Sequence, residues 1–470
     1  MEQTSATKSI VPPPEKGQQF NRSIGLVSNF ALGFTYLSPL TAVYSLFALV
    51  FGEVASQYPI TGGLYPWARR LWGKKYAWIA AWIYLWALVV TITSIVEYTS
   101  TFVASLFHYG DTPIAMLLTS VVLLAIMMGV NMSGTKNLAR VARFGFWCEI
   151  ISVIALDIYL LIFHRSQPFS VVFDAMGALA KDGSYGTAFM SASLMGLFMF
   201  FGFEACGNVA EEVQNPGRKI PVAMILSIVF GAISAVISIL GYLLSSPDLM
   251  NIVNGKIADP IPAILNDALG EKGATLFIVI AVVAMLSCIL SLKAALSRLI
   301  FSFSRDKMLP GSEWLAKISK HCVPDNAMLP TAYCLLPMVI CVWVYFQPDN
   351  LSRITAFAVI GIYISFQMVI LAALRQRLKG CKPAGEWTLG SWGMLVNVMA
   401  LAYGIGGIWL LAQPADSTNF IDRWTVLVGL ALIVGSGLAY MALARPFGHS
   451  DAPENDAIEY ADKLKLSREY

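Results

Sequence analysis

Long apolar segments recur along the whole chain, and they constrain its fold more than any other feature. Each approaches the length, about 20 residues, of a helix that crosses a hydrocarbon layer about 30 Å thick. Inside such a layer every backbone amide must be hydrogen-bonded within the segment, which favours helices. Eleven stretches qualify: 24–51, 76–105, 113–130, 145–163, 187–213, 222–244, 274–297, 329–346, 354–374, 391–413 and 424–444. The sequence therefore predicts an all-α polytopic membrane protein whose transmembrane domain covers 24–444.

Composition argues against a soluble fold. The chain is 57% hydrophobic and 13% charged, so a soluble protein of 470 residues would have to display an excess of apolar surface. The polar segment 1–23 lacks the apolar core of a signal peptide, and we expect a cytoplasmic tail there. The segment 445–470 carries charges of both signs. It is expected to be a cytoplasmic tail as well, either a solvated charged helix or disordered.

Basic residues indicate the topology, because Lys and Arg are retained on the cytoplasmic side of short loops. Of the 32 Lys and Arg, 25 fall in the termini and in alternate loops that we assign to the cytoplasm. Both termini are then inside, which requires an even number of crossings. Eleven stretches are one short of such an even number. The missing crossing falls at Ile24–Phe51, because this stretch separates two segments assigned to the inside but spans only about 42 Å as a helix, too little for two crossings. We expect 11–12 transmembrane helices, with the second helix shortened or missing near Ser45–Val50.

Two stretches contain helix-breaking residues at mid-membrane depth. The first places Gly33 and Pro39 beside small hydroxyl residues, and the stretch 187–213 contains Gly202 and Glu204. Backbone groups freed at such breaks are tolerated only within protein or a wet cavity, where they bind ions and carboxylates. An intramembrane carboxylate is costly and is a functional hypothesis by default. Paired breaks favour a transporter site, although a proline kink or glycine packing explains either one alone.

Four motifs follow one another in the loops and helix ends. They are GEVASQYPITGGLY at 52–65, NMSGTK at 131–136, EEVQNPGRKIP at 211–221 and SRLIFSFSRDKMLP at 297–310. In this order they resemble motifs of the amino acid–polyamine–organocation permease superfamily, and the resemblance runs over most of the chain. Gly63-Leu64-Tyr65 and Ala210-Glu211-Glu212 are most similar to its amino acid/choline branch, which includes carriers of choline and GABA.

The resemblance implies an inverted-repeat bundle of five plus five helices with two added C-terminal helices. It also implies alternating access, with substrate between the broken first and sixth helices. The implied substrate-lining residues are Gly33, Thr35, Tyr36, Ser38, Phe200, Phe201, Phe203 and Glu204. Family members have room for one more crossing before Gly52, so this chain has either lost a segment or is a shortened variant.

The first break is bulkier than the Gly-Ser-Gly nest that many amino acid carriers of the family have. This difference favours an amine or ω-amino acid over a strict α-amino acid. The aromatic residues beside the breaks can hold a cationic head through cation–π contacts, or they can simply pack against helices and lipid.

Ionisable residues within two further apolar stretches suggest a coupling mechanism. Glu149 and Asp157 lie in the fifth helix of the family count, and Lys293 lies in the eighth. In the family these helices approach one another where sodium-coupled relatives bind a cation. We hypothesise that Lys293 pairs with Glu149 while Glu204 senses the proton, a salt bridge of purely structural role being the alternative. Without a sodium motif, proton coupling or exchange is favoured.

These features together predict a secondary active transporter of a small amine or amino acid in the inner membrane. A substrate sensor or a channel on the same fold is the alternative. An intramembrane enzyme is disfavoured because the helices carry no clustered catalytic groups. The four histidines are scattered without metal-ligand spacing, so we expect no metal, cofactor or nucleic-acid partner. The oligomeric state is left open.

Overall fold

The computed structural model describes residues 45–109, 112–174, 202–253, 256, 260–320, 323–328, 350–413 and 420–469. The principal helices of these residues are α1 (Ser45–Gln57), α2 (Leu64–Leu71), α3 (Lys74–Phe107), α4 (Pro113–Met132), α5 (Thr135–Phe163), α6 (Ala205–Asn208), α7 (Pro216–Ser245), α8 (Pro260–Arg305), α9 (Asn350–Leu378), α10 (Gly393–Leu411), α11 (Thr425–Ala444) and α12 (Ala457–Glu469). Single-turn helices connect several of them. No strand occurs among the residues described.

Eight helices in this part of the chain are long and apolar enough to cross a membrane: α3, α4, α5, α7, α8, α9, α10 and α11. Each coincides with a predicted apolar stretch, which confirms the all-α polytopic fold. The stretches 24–51 and 187–213 are described only in part, and 329–346 lies outside the described residues.

The helix α1 occupies the region where the charge pattern is one crossing short. It begins at Ser45, the first residue that the structure describes, and ends at Gln57. The described residues therefore do not test the length of this crossing, and the expectation of a shortened or missing second helix stays a prediction.

Helices α3 and α9 form the centre of the bundle. In the most apolar 18-residue stretch of each of these two helices, 78% is buried, whereas only 6% of the corresponding stretch of the peripheral α11 is buried. They pack closely, since a Cβ added at Gly361 of α9 would lie 3.0 Å from the Cβ of Ala87 on α3. The outer surface is apolar: Phe144, Trp147 and Ile151 of α5 are more than half exposed, as expected for side chains that face lipid.

A second close contact joins α5 to α8. A Cβ built at Gly145 would lie 1.8 Å from the Oγ of Ser287, so only glycine fits at this crossing. The helix α8 itself is divided at Gly270, where φ is 69°. Its longer part continues past Ser287 to Arg305.

The segment after α11 packs against the membrane-embedded bundle. Ala457, Ala461 and Leu464 of α12 are buried, and the ring of Tyr460 stacks on that of Tyr58 at 5.3 Å. Its charged side chains that the structure describes are exposed, in agreement with the expectation of a charged helix: Glu459, Asp462, Lys463 and Lys465. Its docking was not predicted, because the sequence indicated a solvated or disordered tail. Three buried apolar residues at helical spacing account for the difference.

Several basic loops meet on the face that carries α12. Arg70 of α2 pairs with Asp456, and the Arg69 carbonyl accepts a hydrogen bond from the Asn455 N–H at 3.0 Å. Arg375, near the end of α9, donates to the Asn455 side chain at 3.2 Å. These loops are among those that the charge pattern assigns to one side, and in the structure they share one face, which we call the inner face.

Candidate substrate and coupling site

The structure describes four of the ten predicted site residues. Phe203, Glu204, Glu149 and Lys293 are among the described residues. The other predicted residues lie outside them: Gly33, Thr35, Tyr36, Ser38, Phe200 and Phe201. Their contribution to a substrate site stays a prediction.

Glu204 lies directly before helix α6, in the stretch where the sequence predicts a break in the sixth helix. Gly202, two residues earlier, has a φ of 115°, which favours glycine. The break itself stays a prediction. The carboxylate is 1% exposed. Its Oε1 accepts a hydrogen bond from the Tyr84 hydroxyl at 2.8 Å, and its Oε2 accepts one from the Gly202 N–H at 2.7 Å. The carboxylate is thus held in one orientation by donors on both oxygens.

Phe203, the residue before Glu204, belongs to a group of packed rings. Its ring centroid lies 5.5 Å from that of Phe51 on α1 and 5.5 Å from that of Phe366 on α9. Phe51 and Phe366 are themselves 4.9 Å apart. We call Phe51, Phe203 and Phe366 the aromatic triad. All three rings are fully buried, so in this structure Phe203 packs, and its contact with substrate stays a prediction.

Two glutamates of the third motif tie the sixth helix to α8. The Glu212 carboxylate accepts from Arg298 at 2.9 and 3.4 Å, and both side chains are 0% exposed. Glu211 pairs with Arg305 at 2.9 Å, where both side chains are partly exposed. Because Arg298 and Arg305 belong to the fourth motif, the two motifs form one inner-face network.

The loop of the first motif joins the same network. The Thr61 N–H donates to Glu211 Oε1 at 3.1 Å, and the Thr61 hydroxyl accepts from the Glu211 N–H at 3.2 Å. The Gly62 N–H donates to the Asn208 carbonyl at 3.2 Å. A Cβ at Gly63 would lie 2.6 Å from the Asn208 side-chain oxygen, so glycine permits this close approach. Helix α6 and the two glutamates that follow it are therefore held by α8 and by this loop.

The predicted coupling residues lie on adjacent helices. Lys293 of α8 is 1% exposed, and its Nζ donates to the Leu124 carbonyl of α4 at 2.8 Å. Glu149 is half-buried on α5, one turn from the Gly145 contact with α8. A carbonyl partner stabilises a buried ammonium but does not neutralise it. The pairing of Lys293 with Glu149 stays a prediction.

Sequence reasoning missed Tyr84 and the inner-face network. Tyr84 occurs in a continuous apolar run of α3, where nothing local separates it from a packing residue. The ion pairs join residues 86 and 94 positions apart, which no local pattern reveals. The described residues contain no group of three or more His, Cys, Asp or Glu side chains that could hold a metal ion.

Three features of the described residues are typical of a membrane transporter: eight helices long and apolar enough to cross a membrane, a buried carboxylate directly before α6, and an inner-face network of charged residues. The family model described as amino acid permease matches residues 19–448. Because this match covers most of the chain, the protein belongs to the amino acid permease family. The resemblance inferred from the four motifs is thereby confirmed.

Individual relatives are distant but aligned over most of their length. The chain is 25% identical to amino-acid permease BAT1 of Arabidopsis thaliana in an alignment of 518 positions. The alignment covers 92% of this chain and 95% of the relative. It is 22% identical to a choline transporter of Saccharomyces cerevisiae, in an alignment that covers 96% of this chain and 84% of the relative. It is 24% identical to the aromatic amino acid transport protein AroP of Escherichia coli, where 81% of this chain and 83% of the relative are covered.

Proposed function

We propose that the protein is a secondary active transporter of a small amine or amino acid that works by alternating access. The observation that carries the proposal is Glu204, a fully buried carboxylate that accepts hydrogen bonds from Tyr84 and the Gly202 amide, directly before helix α6 and where a break in the sixth helix is predicted. An acidic group at such a break suits a cationic ligand or a proton.

The substrate class follows from the chemistry near this break. An ammonium group is the feature that choline-type amines and amino acids share, and both kinds of substrate appear in the names of the relatives. Glu204 supplies a negative charge, and the predicted lining residues Tyr36, Phe200 and Phe201 supply ring faces for cation–π contacts. We therefore assign the ammonium group of the substrate to the space between the two broken helices.

Coupling to protons, or exchange of one substrate for another, is our proposal for the driving force. Glu204 is placed to accept a proton from the substrate pathway. Lys293 supplies a fixed or titratable positive charge, with Glu149 as its counter-ion in part of the cycle. The hydrogen bond of Lys293 to the Leu124 carbonyl supports this role, because it holds the ammonium inside the helix bundle.

We place the protein in the inner membrane with both termini cytoplasmic. The basic loops at 69–75 and 375–382 and the segment 450–466 meet on the inner face, and the positive-inside rule assigns such a face to the cytoplasm. The peripheral members of the eight apolar helices supply the lipid-facing surface.

Uptake by purified protein in proteoliposomes tests the proposal. We expect saturable uptake of a labelled amine or amino acid, together with counterflow, which distinguishes a carrier from a channel. Glu204→Gln and Lys293→Ala should abolish or flatten the pH dependence of uptake. Glu313→Gln, a change at an exposed inner-face residue, is the control and should leave it intact. Unchanged pH dependence in both site variants would remove the coupling hypothesis. Ligand binding without flux would identify a sensor instead.

A further inference from the structure

Another buried carboxylate, that of Asp157, lies between α5 and α7, away from the inner face. Asp157 is 2% exposed, and its Oδ2 is hydrogen-bonded to the Ser238 hydroxyl of α7 at 2.7 Å. Its Oδ1 is buried and has no hydrogen-bond partner. None of the interactions described for the candidate site involves this residue.

Apart from the Ser238 hydroxyl, Asp157 packs closely against α7 and beside an apolar cluster. Gly241, one turn after Ser238, brings α7 close: a Cβ added there would lie 3.5 Å from Oδ1. Leu156 and Leu160 of α5 pack with Leu265 and Ala268 of α8 on the adjoining side. These contacts exclude water from the carboxyl group in this conformation.

No described Lys, Arg or His forms a salt bridge with Asp157. The nearest ionisable neighbour on α7 is Tyr242, and on α5 Tyr159 donates its hydroxyl to the Ala268 carbonyl at 3.0 Å. His164 lies at the end of α5. The charged residues on the adjoining part of α8 are all exposed: Asp267, Glu271 and Lys272. The described surroundings therefore contain no counter-charge for an ionised Asp157.

An ionised carboxylate buried without a cation is among the most unfavourable groups a protein can hold, and one hydroxyl donor does not offset this cost. The neutral acid avoids it. With the proton on Oδ2, a hydrogen bond of the same length runs from Asp157 to the Ser238 oxygen, and Oδ1 becomes an ordinary carbonyl oxygen.

We propose that Asp157 is a proton-binding site, protonated in this conformation and ionised when α5 and α7 separate enough to admit water. The proton comes from and returns to solvent at the face opposite the inner face, since Asp157 is about 9 Å from the C-terminal end of α5. The site binds a proton whether or not the protein transports. Its role in coupling rests on the proposed transport function.

Infrared difference spectroscopy of the full chain in lipid at neutral pH tests the protonation state. Asp157→Asn preserves the shape of the side chain and an acceptor for Ser238. We expect this variant to lose one carbonyl-stretching band of a protonated carboxylic acid. Loss of carboxylate bands instead would overturn the proposal. Asp267→Asn is the matched control and should lose carboxylate bands only, because Asp267 is exposed.

A second variant covers the case in which Asp157→Asn does not fold. Ser238→Ala removes the hydrogen-bond partner and should move the acid band to higher frequency, whereas movement of carboxylate bands alone would contradict a neutral Asp157. Uptake assays then test coupling: Asp157→Asn should retain uptake but lose part of its pH dependence. Wild-type protein that shows the acid band but no uptake refutes only the transport proposal. Uptake without the acid band refutes only the proton site.

Discussion

The Tyr84 hydroxyl donates a hydrogen bond to the Glu204 carboxylate across 2.8 Å, and it thereby links the central helix α3 to the start of α6. Both residues are fully buried. Water cannot replace the phenol in this conformation, so the orientation of the carboxylate depends on Tyr84. Any movement of the sixth helix relative to α3 has to break or lengthen this bond.

Replacement of Tyr84 by Phe should therefore impair transport. Loss of a hydrogen bond to a charged buried group is worth about 1.5–3 kcal/mol, which corresponds to roughly a tenfold or larger fall in uptake efficiency. Tyr76→Phe is the control, since Tyr76 on the same helix donates to the Met368 carbonyl at 2.8 Å and does not contact Glu204. Concentration-dependent uptake by the two variants gives the comparison. Equal effects would show that the Tyr84 bond has no special role.

The Glu212–Arg298 pair predicts a large difference between adjacent glutamates. Glu212→Gln leaves the fully buried Arg298 without a counter-charge and should destabilise the protein by about 3–5 kcal/mol. Glu211→Gln breaks a partly exposed pair, which is worth about 1 kcal/mol or less. Thermal unfolding in detergent measures both. Similar losses in the two variants would argue against a dry environment around Arg298.

A combined variant tests the reason for that difference. Replacing both Glu212 and Arg298 with Met removes both buried charges and keeps the volume apolar. Because a lone buried charge is worse than none, the double variant should be more stable than Glu212→Gln alone. A double variant as unstable as the single one would indicate that hydrogen bonding, rather than charge, dominates at this position.

The helices were predictable from sequence because a membrane span has a local signature. Stretches such as 76–105 and 222–244 differ from α3 and α7 only by several residues at the ends. Glu204 was identified for a similar reason, since a carboxylate stands out within an apolar run. The sequence did not reveal the contacts of Tyr84, Arg298 and Tyr460, because their partners are distant along the chain. A tyrosine in or beside a helix and an arginine at the end of an apolar run are also common, so neither stands out.

Docking of α12 predicts protection of Cys381. This thiol is buried, donates to the Ala457 carbonyl at 3.7 Å, and has its pKa raised by burial. Tyr460→Ala removes the ring stacked on Tyr58 and under Arg70, contacts worth about 1–2 kcal/mol. We expect maleimide labelling of Cys381, followed by peptide mass spectrometry, to become about tenfold faster.

Two further measurements sharpen this test. Lys463→Ala changes an exposed residue of α12 and should leave the labelling rate unchanged. The raised pKa means that docking favours the protonated thiol. The stabilisation of the docked state by the protonated thiol is complete below the ordinary thiol pKa of about 8.5. It is lost as pH rises through the raised pKa of Cys381. Labelling that is equally fast in wild-type protein and Tyr460→Ala at neutral pH would contradict the docked position.

The α5–α8 crossing predicts opposite outcomes for two glycine substitutions. Gly145→Ala forces a Cβ against Ser287 and should destabilise the protein by about 1–3 kcal/mol. A Cβ added at Gly129 on α4 has no neighbouring atom within 4 Å, so Gly129→Ala should be neutral or slightly stabilising. Ser287→Gly should rescue the first variant. Thermal unfolding of the three proteins checks these expectations, and a Gly145→Ala protein as stable as wild type would contradict the close crossing.

The inner face also has a consequence for the order of folding. Its contacts join residues far apart along the chain, with 324 positions between Glu53 and Arg377 and 386 between Arg70 and Asp456. Contacts of such high sequence separation form late, because the intervening chain must first be brought together. Membrane helices, in contrast, satisfy their backbone hydrogen bonds one segment at a time. A variant with a defective inner face should therefore insert with all of its helices yet remain incompletely assembled, so that protein abundance in the membrane is a poor guide to the amount that is native.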